Sequence, residues 1–316
     1  MEEKGPGIVF MGTPEFAVAS LDALVNAGYN IVGVVTAPDK PAGRGMKLTG
    51  SAVKKYAEEK GFKILQPEKL KDPAFVEELR SLKADLQVVV AFRMLPEVIW
   101  NMPAMGTLNL HGSLLPLYRG AAPINWAIIN GETQTGVTTF KLKHEIDTGD
   151  ILLQESIPIG ENDTAGDVHD KMKIIGADLL VKTLKGLVDH TLQEIPQASI
   201  LNSQHVTAAA LKHAPKIHTE TCRIDFGKTA EQVHDLVRGL SPFPGAFTIM
   251  NEKMFKVFRT KKEICFPTHV EGEYDTDGKT YLKIACSNGY VHLLEVQQEG
   301  KKRMEITEFL RGYRFQ

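Results

Sequence analysis

Three residues between positions 109 and 150 have types and a spacing that suit acyl chemistry. Asn109 and His111 stand two apart at the end of an apolar run, 106–110. On a β-strand, that spacing brings both side chains out on one face. Asp147 opens an Asp-Thr-Gly-Asp turn between two stretches of alternating polarity, 136–143 and 151–157, which read as an antiparallel pair. An amide, an imidazole and a carboxylate, with no Ser or Cys in a G-x-S-x-G elbow, point away from a covalent acyl-enzyme. They fit direct acyl transfer between two bound substrates. Asn109 can donate an N–H to a developing oxyanion. His111 can add a second donor when protonated and return a proton to a leaving nitrogen. Asp147 can hold His111 charged or, through water, take the proton shed by an attacking amine. The residues leave open how His111 and Asp147 divide those roles, and an Asn-x-His pair on a strand is more often two hydrogen-bonded core polars. His111, Asp147 and Asp150 offer no paired-His helix, so no metal is expected.

The elements that must position these groups follow from periodicity. The apolar run 8–11 ends in Gly12 and reads as a buried parallel strand. Thr13-Pro14-Glu15 then gives an N-cap, a proline at the first helical position and an acid in the first turn. Strand, helix and a second strand at 31–36 imply a right-handed crossover and a parallel sheet. The first turn is GTPEFA, not GxGxxG, which argues against a dinucleotide site. Helices are expected at 51–60 and 73–82, a short strand at 63–65, and the most apolar strand at 86–92. Residues 121–130 read as helical. Thr164 caps a long helix to 188, with Ile174, Ile175, Leu179, Leu180 and Leu184 on its buried side.

Residues 37–50 read as a long Gly- and Pro-rich loop carrying Lys40, Arg44 and Lys47. Spaced cations among glycines suit phosphate contact as well as a solvated surface. The stretch 189–205 lacks sustained periodicity and reads as a linker. Beyond it, one helix at 229–240 and strand-like runs at 246–250, 254–259, 281–286 and 290–296 suggest a small OB-like barrel. The expected division is therefore 1–188, a linker at 189–205, and 206–316.

Composition sets wide bounds. At 43% hydrophobic and 24% charged, the 316 residues read as an ordinary globular protein with a formal net charge of −2. Residues 191–316 carry 17 Lys and Arg against 15 Asp and Glu, so they are slightly basic in an acidic chain. Cys222, Cys265 and Cys286 are odd in number and widely spaced, which suggests small buried hydrophobes and neither a zinc site nor a disulfide framework. The N-terminus lacks a secretory pattern and no apolar run reaches membrane-spanning length, so a cytoplasmic location with no membrane partner is expected.

The stretch NLHGSLLPLYRGAAPINWAI followed by DTGD resembles the folate-dependent formyltransferases. MGTPEFA, DKPAGRGMKL and IDF…VRGLSPFPGA are similar to the branch of that family that acts on aminoacylated tRNA, and the likeness spans nearly the whole chain. The resemblance implies a Rossmann-like α/β domain with a mostly parallel sheet, followed by a smaller OB-like β-barrel domain. It implies transfer of formyl from 10-formyltetrahydrofolate to the amino group of methionyl initiator tRNA, by a monomer. The family's catalytic Asn, His and Asp fall on Asn109, His111 and Asp147. Its folate-contacting segment falls on Ser113, Leu114, Leu115 and Pro116, and its pterin turn on Phe92, Arg93, Met94 and Leu95. Arg44, with Lys40 and Lys47, matches the loop that meets the acceptor stem. Other members act on amino-sugar nucleotides or glycinamide ribonucleotide, and a non-catalytic RNA- or folate-binding protein is the alternative from another class.

Overall fold

Six consecutive buried residues, Gly7–Gly12, start a sheet whose centre has no solvent face. The computed structural model describes residues 5–42, 47–203 and 211–313. In chain order come β1 (Gly7–Gly12), α1 (Glu15–Asn26), β2 (Asn30–Val35), β3 (Lys40–Ala42), β4 (Lys47–Thr49), α2 (Ala52–Glu59) and β5 (Ile64–Leu65). Then follow α3 (Pro73–Ser81), β6 (Leu86–Val90), α4 (Glu97–Trp100), β7 (Thr107–His111), β8 (Arg119–Gly120), α5 (Pro123–Ile129), β9 (Gln134–Lys141), β10 (Ile151–Pro158), α6 (Ala165–Val188) and α7 (Gln197–Ser203). The remainder comprises β11 (His213–Ala214), α8 (Ala230–Gly239), β12 (Ala246–Met250), β13 (Lys253–Ile264), β14 (Tyr274–Thr276), β15 (Leu282–Cys286), β16 (Gly289–Gln298), β17 (Met304–Glu305) and α9 (Ile306–Gly312).

Two compact units are formed, Met1–Arg119 with Gly136–Ile157 and Asp170–Lys212, and Gly120–Thr135 with Pro158–His169 and His213–Gln316. The first is built on a sheet in the order β10-β9-β7-β6-β1-β2-β5. Strands β5, β2, β1, β6 and β7 are mutually parallel, and β9 joins β7 antiparallel. One core packs Val9, Met11, Val35, Leu65 and Val89 of the sheet against Phe75, Val76 and Leu79 of α3 and Ile99 of α4. Helix starts follow the caps: the side chains of Ser51 and Asp72 accept from Lys54 and Ala74 N–H groups. Thr164 and Asp167 bond each other's backbone N–H ahead of α6.

Two expectations need correction in this unit. Residues 37–50 are not loop throughout, because β3 and β4 pair antiparallel with Lys40 opposite Thr49 and Ala42 opposite Lys47. Three-residue strands are too short for an alternation to show in the sequence. Lys40 is exposed on this hairpin, and Arg44 lies outside the described residues. On α6, Val168, Met172, Leu179, Leu180 and Leu184 are buried, whereas Ile174 is 63% exposed. Two positions past Met172, Ile174 is turned about 200° around the helix axis, off the buried stripe.

The second unit is an antiparallel sheet in the order β12-β13-β16-β15-β14, with β17 on β16. Phe255, Val257, Ile284, Val291, Leu293 and Val296 bury against Val233 and Val237 of α8 and Phe309 and Leu310 of α9. Thr229 and Gln232 close a capping box at the start of α8. Strand β13 runs five residues beyond its expected end, through a register shift between Val257 and Thr260. Its extension, TKKEI, has a single apolar residue, the exposed Ile264, and so hides the strand signal. Cys222 and Cys286 are buried as expected, but Cys265 is exposed. Among the described residues, no helix is long and apolar enough to cross a membrane.

Candidate active site

Strand β7 ends on His111, flanked by β6 on one side and β9 on the other. The i, i+2 spacing holds: Asn109 and His111 lie on one face, where Asn109 is half-buried and His111 is buried. Among the described residues no hydrogen bond engages the Asn109 side-chain amide, so its donors are open to a ligand. The His111 ring stands edge-on to Phe140, 6.5 Å between centroids, above a small core of Leu115, Phe140 and Ile151.

Both nitrogens of His111 have defined surroundings. Nε2 lies 2.9 Å from the Tyr118 carbonyl oxygen. A carbonyl only accepts, so Nε2 carries its hydrogen and donates it there. Nδ1 faces Asp147, with Oδ2 at 3.9 Å. Nδ1 is therefore the nitrogen not committed to a backbone carbonyl, and it lies on the side of the carboxylate. The two residues that bracket the ring share an uncommon backbone: Tyr118 has φ +58° and Asp147 has φ +54°. Left-handed backbone at non-glycine residues costs free energy and persists only where surrounding contacts impose it.

Gln197 supplies such contacts at Asp147. Its Nε2 donates to the carbonyls of Asp147 and Gly149, at 2.9 and 2.8 Å. Arg119 donates from Nε and Nη2 to Gln197 Oε1, at 3.1 and 2.6 Å. Burial pulls the Arg119 guanidinium below its ordinary pKa, while the negative charges of Asp147 and Glu145 oppose that shift. Asp150 pairs with Lys143 at 2.7 Å and anchors the far end of the turn.

The Ser-Leu-Leu-Pro segment is fixed from below. Thr138 Oγ1 donates to Ser113 O at 2.6 Å and accepts from Leu115 N at 3.1 Å and from Gln154 Nε2 at 2.9 Å. Gln154 Nε2 also reaches Leu115 O at 2.9 Å. Ser113 is fully buried and gives its hydroxyl to Leu117 O at 2.7 Å, and Leu115 is 2% exposed. Ser113, Leu115 and the buried Pro116 thus shape the segment from inside, while Leu114 is the member left partly open. Thr138→Val would leave two buried backbone partners, Ser113 O and Leu115 N, and the exposed Gln154 amide short of one bond each. We expect a loss of roughly 2–3 kcal/mol in unfolding free energy, measured by urea titration.

The turn after β6 is likewise set by backbone and cation contacts. Ala91 has φ +47°. Arg93 donates to Glu68 O and Pro67 O at 3.0 and 2.8 Å, and its guanidinium carbon lies 5.3 Å from the Phe92 ring centre. Leu95 packs inward, whereas Met94 is exposed. Arg93 is therefore engaged in holding the turn, and Phe92 and Met94 supply its accessible apolar surface.

Thr138, Gln154, Tyr118 and Gln197 take part in this geometry, although their residue types and spacing do not mark them. Tyr118 acts through its carbonyl, and no side-chain pattern reports that.

A formyl transferase family model matches residues 7–184, and a formyl transferase C-terminal domain model matches residues 216–314. Methionyl-tRNA formyltransferase of Phocaeicola vulgatus is 53% identical, covering 99% of this chain and 98% of that protein. The enzyme of the same name from Bacteroides fragilis is 50% identical, covering 99% and 97%. Among solved structures, the N-formyltransferase of Helicobacter canadensis in complex with folinic acid and dTDP-3-aminofucose shares the fold, with a TM-score of 0.68 at 21% identity over 92% of this chain and 98% of that one. The chain belongs to the methionyl-tRNA formyltransferase family.

Proposed function

We propose that the protein transfers the formyl group of 10-formyltetrahydrofolate to the amino group of methionine carried on initiator tRNA. The observation that carries this reading is full-length identity of about half to the methionyl-tRNA formyltransferases, extending through both family models. The site supports the chemistry. The amine attacks the formyl carbon, and the Asn109 amide donates to the oxyanion of the tetrahedral intermediate. His111, its Nε2–H committed to Tyr118 O, handles the proton at Nδ1: it relieves the attacking amine and delivers a proton to the departing folate nitrogen. Asp147 beside Nδ1 stabilises the charged ring between those two steps.

In this reading Leu114, Phe92 and Met94 offer the open surface for the folate, and Ser113, Leu115, Pro116, Arg93 and Leu95 keep that surface in shape. Lys40, Arg44 and Lys47 of the segment 37–50 meet tRNA phosphates, which orients the acceptor without reading its sequence. The catalytic part is assigned to 1–188, and the remaining tRNA contacts to 206–316 beyond the stretch 189–205. The test incubates the protein with 10-formyltetrahydrofolate and methionine-charged initiator tRNA, and in parallel with a dTDP-amino sugar. Formyl should appear on the methionine. Formylation of the sugar alone would overturn the reading.

Binding should also depend on salt. Three phosphate contacts from the segment 37–50 release about three counterions, which weakens tRNA binding roughly 40-fold between about 50 and 200 mM monovalent salt. Affinities that stay level across that range would argue against a phosphate-tracking segment.

A further inference from the structure

The turn that carries Asp147 is held from a part of the chain that neither family model covers. Gln197 is the first residue of α7, and the two matches end at 184 and resume at 216. It is 3% exposed, between the exposed Pro196 and Ala198. A primary amide offers two N–H donors and one carbonyl, and here all three are used. The donors go to the carbonyls of Asp147 and Gly149, and the oxygen takes two N–H groups of Arg119. The two accepting carbonyls flank Thr148, so the bonds set the path of the backbone just after Asp147. They also account for why Asp147 keeps φ +54°, a conformation the turn would otherwise relax. Arg119 in turn follows Tyr118, whose carbonyl holds the other side of His111. One chain of contacts thus links both faces of the imidazole, through Tyr118, Arg119, Gln197 and the Asp147 turn.

We propose that Gln197, braced by Arg119, is a positioning residue for formyl transfer, setting the place of the Asp147 carboxylate opposite His111 Nδ1. The proposal rests on the formyl-transfer function proposed for this site, and Gln197 acts on that site from outside the matched domains. No other neutral side chain of that size supplies two parallel donors with an acceptor behind them. Glu at 197 keeps the acceptor for Arg119 but sets a carboxylate against two carbonyl oxygens. Met keeps the shape and removes every bond.

The experiment compares wild type, Gln197→Met and Gln197→Glu in the formylation assay and by amide hydrogen exchange on the full chain. Misplacement of a reacting group by about 1 Å costs on the order of 100-fold. We therefore expect kcat to fall roughly 10- to 100-fold in both variants, with KM for tRNA and for 10-formyltetrahydrofolate within about threefold of wild type. Exchange should rise in the peptide spanning 144–150 and stay level in β1 and β6. If kcat is kept, if KM rises while kcat holds, or if exchange rises across the whole unit, Gln197 is not a positioning residue. Wild type that forms no formylmethionyl-tRNA would instead defeat the functional reading, and the exchange arm alone would still decide whether Gln197 holds the turn.

Discussion

Asp147→Asn is expected to lower kcat for formyl transfer by about 10²- to 10⁴-fold, the range in which a positioned acid–base group contributes. The substitution keeps side-chain size, and Asn tolerates the left-handed backbone that Asp147 adopts, so the turn can stay in place. What changes is charge. A neutral amide 3.9 Å from His111 Nδ1 no longer favours the imidazolium that must form while the proton is in transit. An amide N–H turned toward Nδ1 would go further and block its lone pair. In the proposed function the ground-state contacts to tRNA and folate are assigned elsewhere, so KM and tRNA affinity should hold. Steady-state kinetics and a tRNA binding titration on the same preparation check this. A kcat within tenfold of wild type, or a loss of tRNA binding as large as the loss of kcat, would make Asp147 a structural residue.

The second large effect comes from a residue with no chemistry of its own. Gly149 is buried, and a Cβ built on it would lie 1.6 Å from the carbonyl oxygen of Lys141 and 2.8 Å from its carbonyl carbon. Both are backbone atoms of β9, so no side-chain rotation relieves the clash. The turn 147–150 must move away from the sheet, and the Gln197 bond to the Gly149 carbonyl moves with it. Gly149→Ala should therefore cost about 100-fold or more in kcat, since the carboxylate two residues earlier is displaced by an ångström or so. Thermal unfolding should show a lower Tm, because the same shift loosens a packed strand. Near-wild-type turnover in this variant would mean that the position of the turn does not govern the reaction.

Much of the site is legible in the residue order itself. The run 106–110 locates the strand that ends at His111, and period-two geometry alone places Asn109 and His111 on a common face. The Asp-Thr-Gly-Asp stretch reads as a turn because its two flanks alternate and it does not. The β3–β4 hairpin is hidden because strands of only three residues, Lys40–Ala42 and Lys47–Thr49, carry no readable periodicity. Ile174 is misplaced because an apolar residue on a long helix need not lie on its buried stripe. Ser113 is assigned to the ligand by resemblance, yet its hydroxyl is spent on Leu117 O inside the loop. A serine's type does not reveal which oxygen it faces.

The sequence alone therefore determined the strand and helix periods, the common face of Asn109 and His111, the absence of a nucleophile elbow and, through its motifs, the family. These are local properties, set by dihedral geometry and by residues within a few positions of one another. Only the tertiary structure decided which nitrogen of His111 is committed to a carbonyl and what holds Asp147 opposite the other. The first depends on a carbonyl at Tyr118, presented by a left-handed residue seven positions on. The second depends on an amide at Gln197, fifty positions from the carbonyl it binds. Backbone oxygens carry no residue identity, and a buried glutamine in an aperiodic stretch looks like any other polar residue until the chain folds around it.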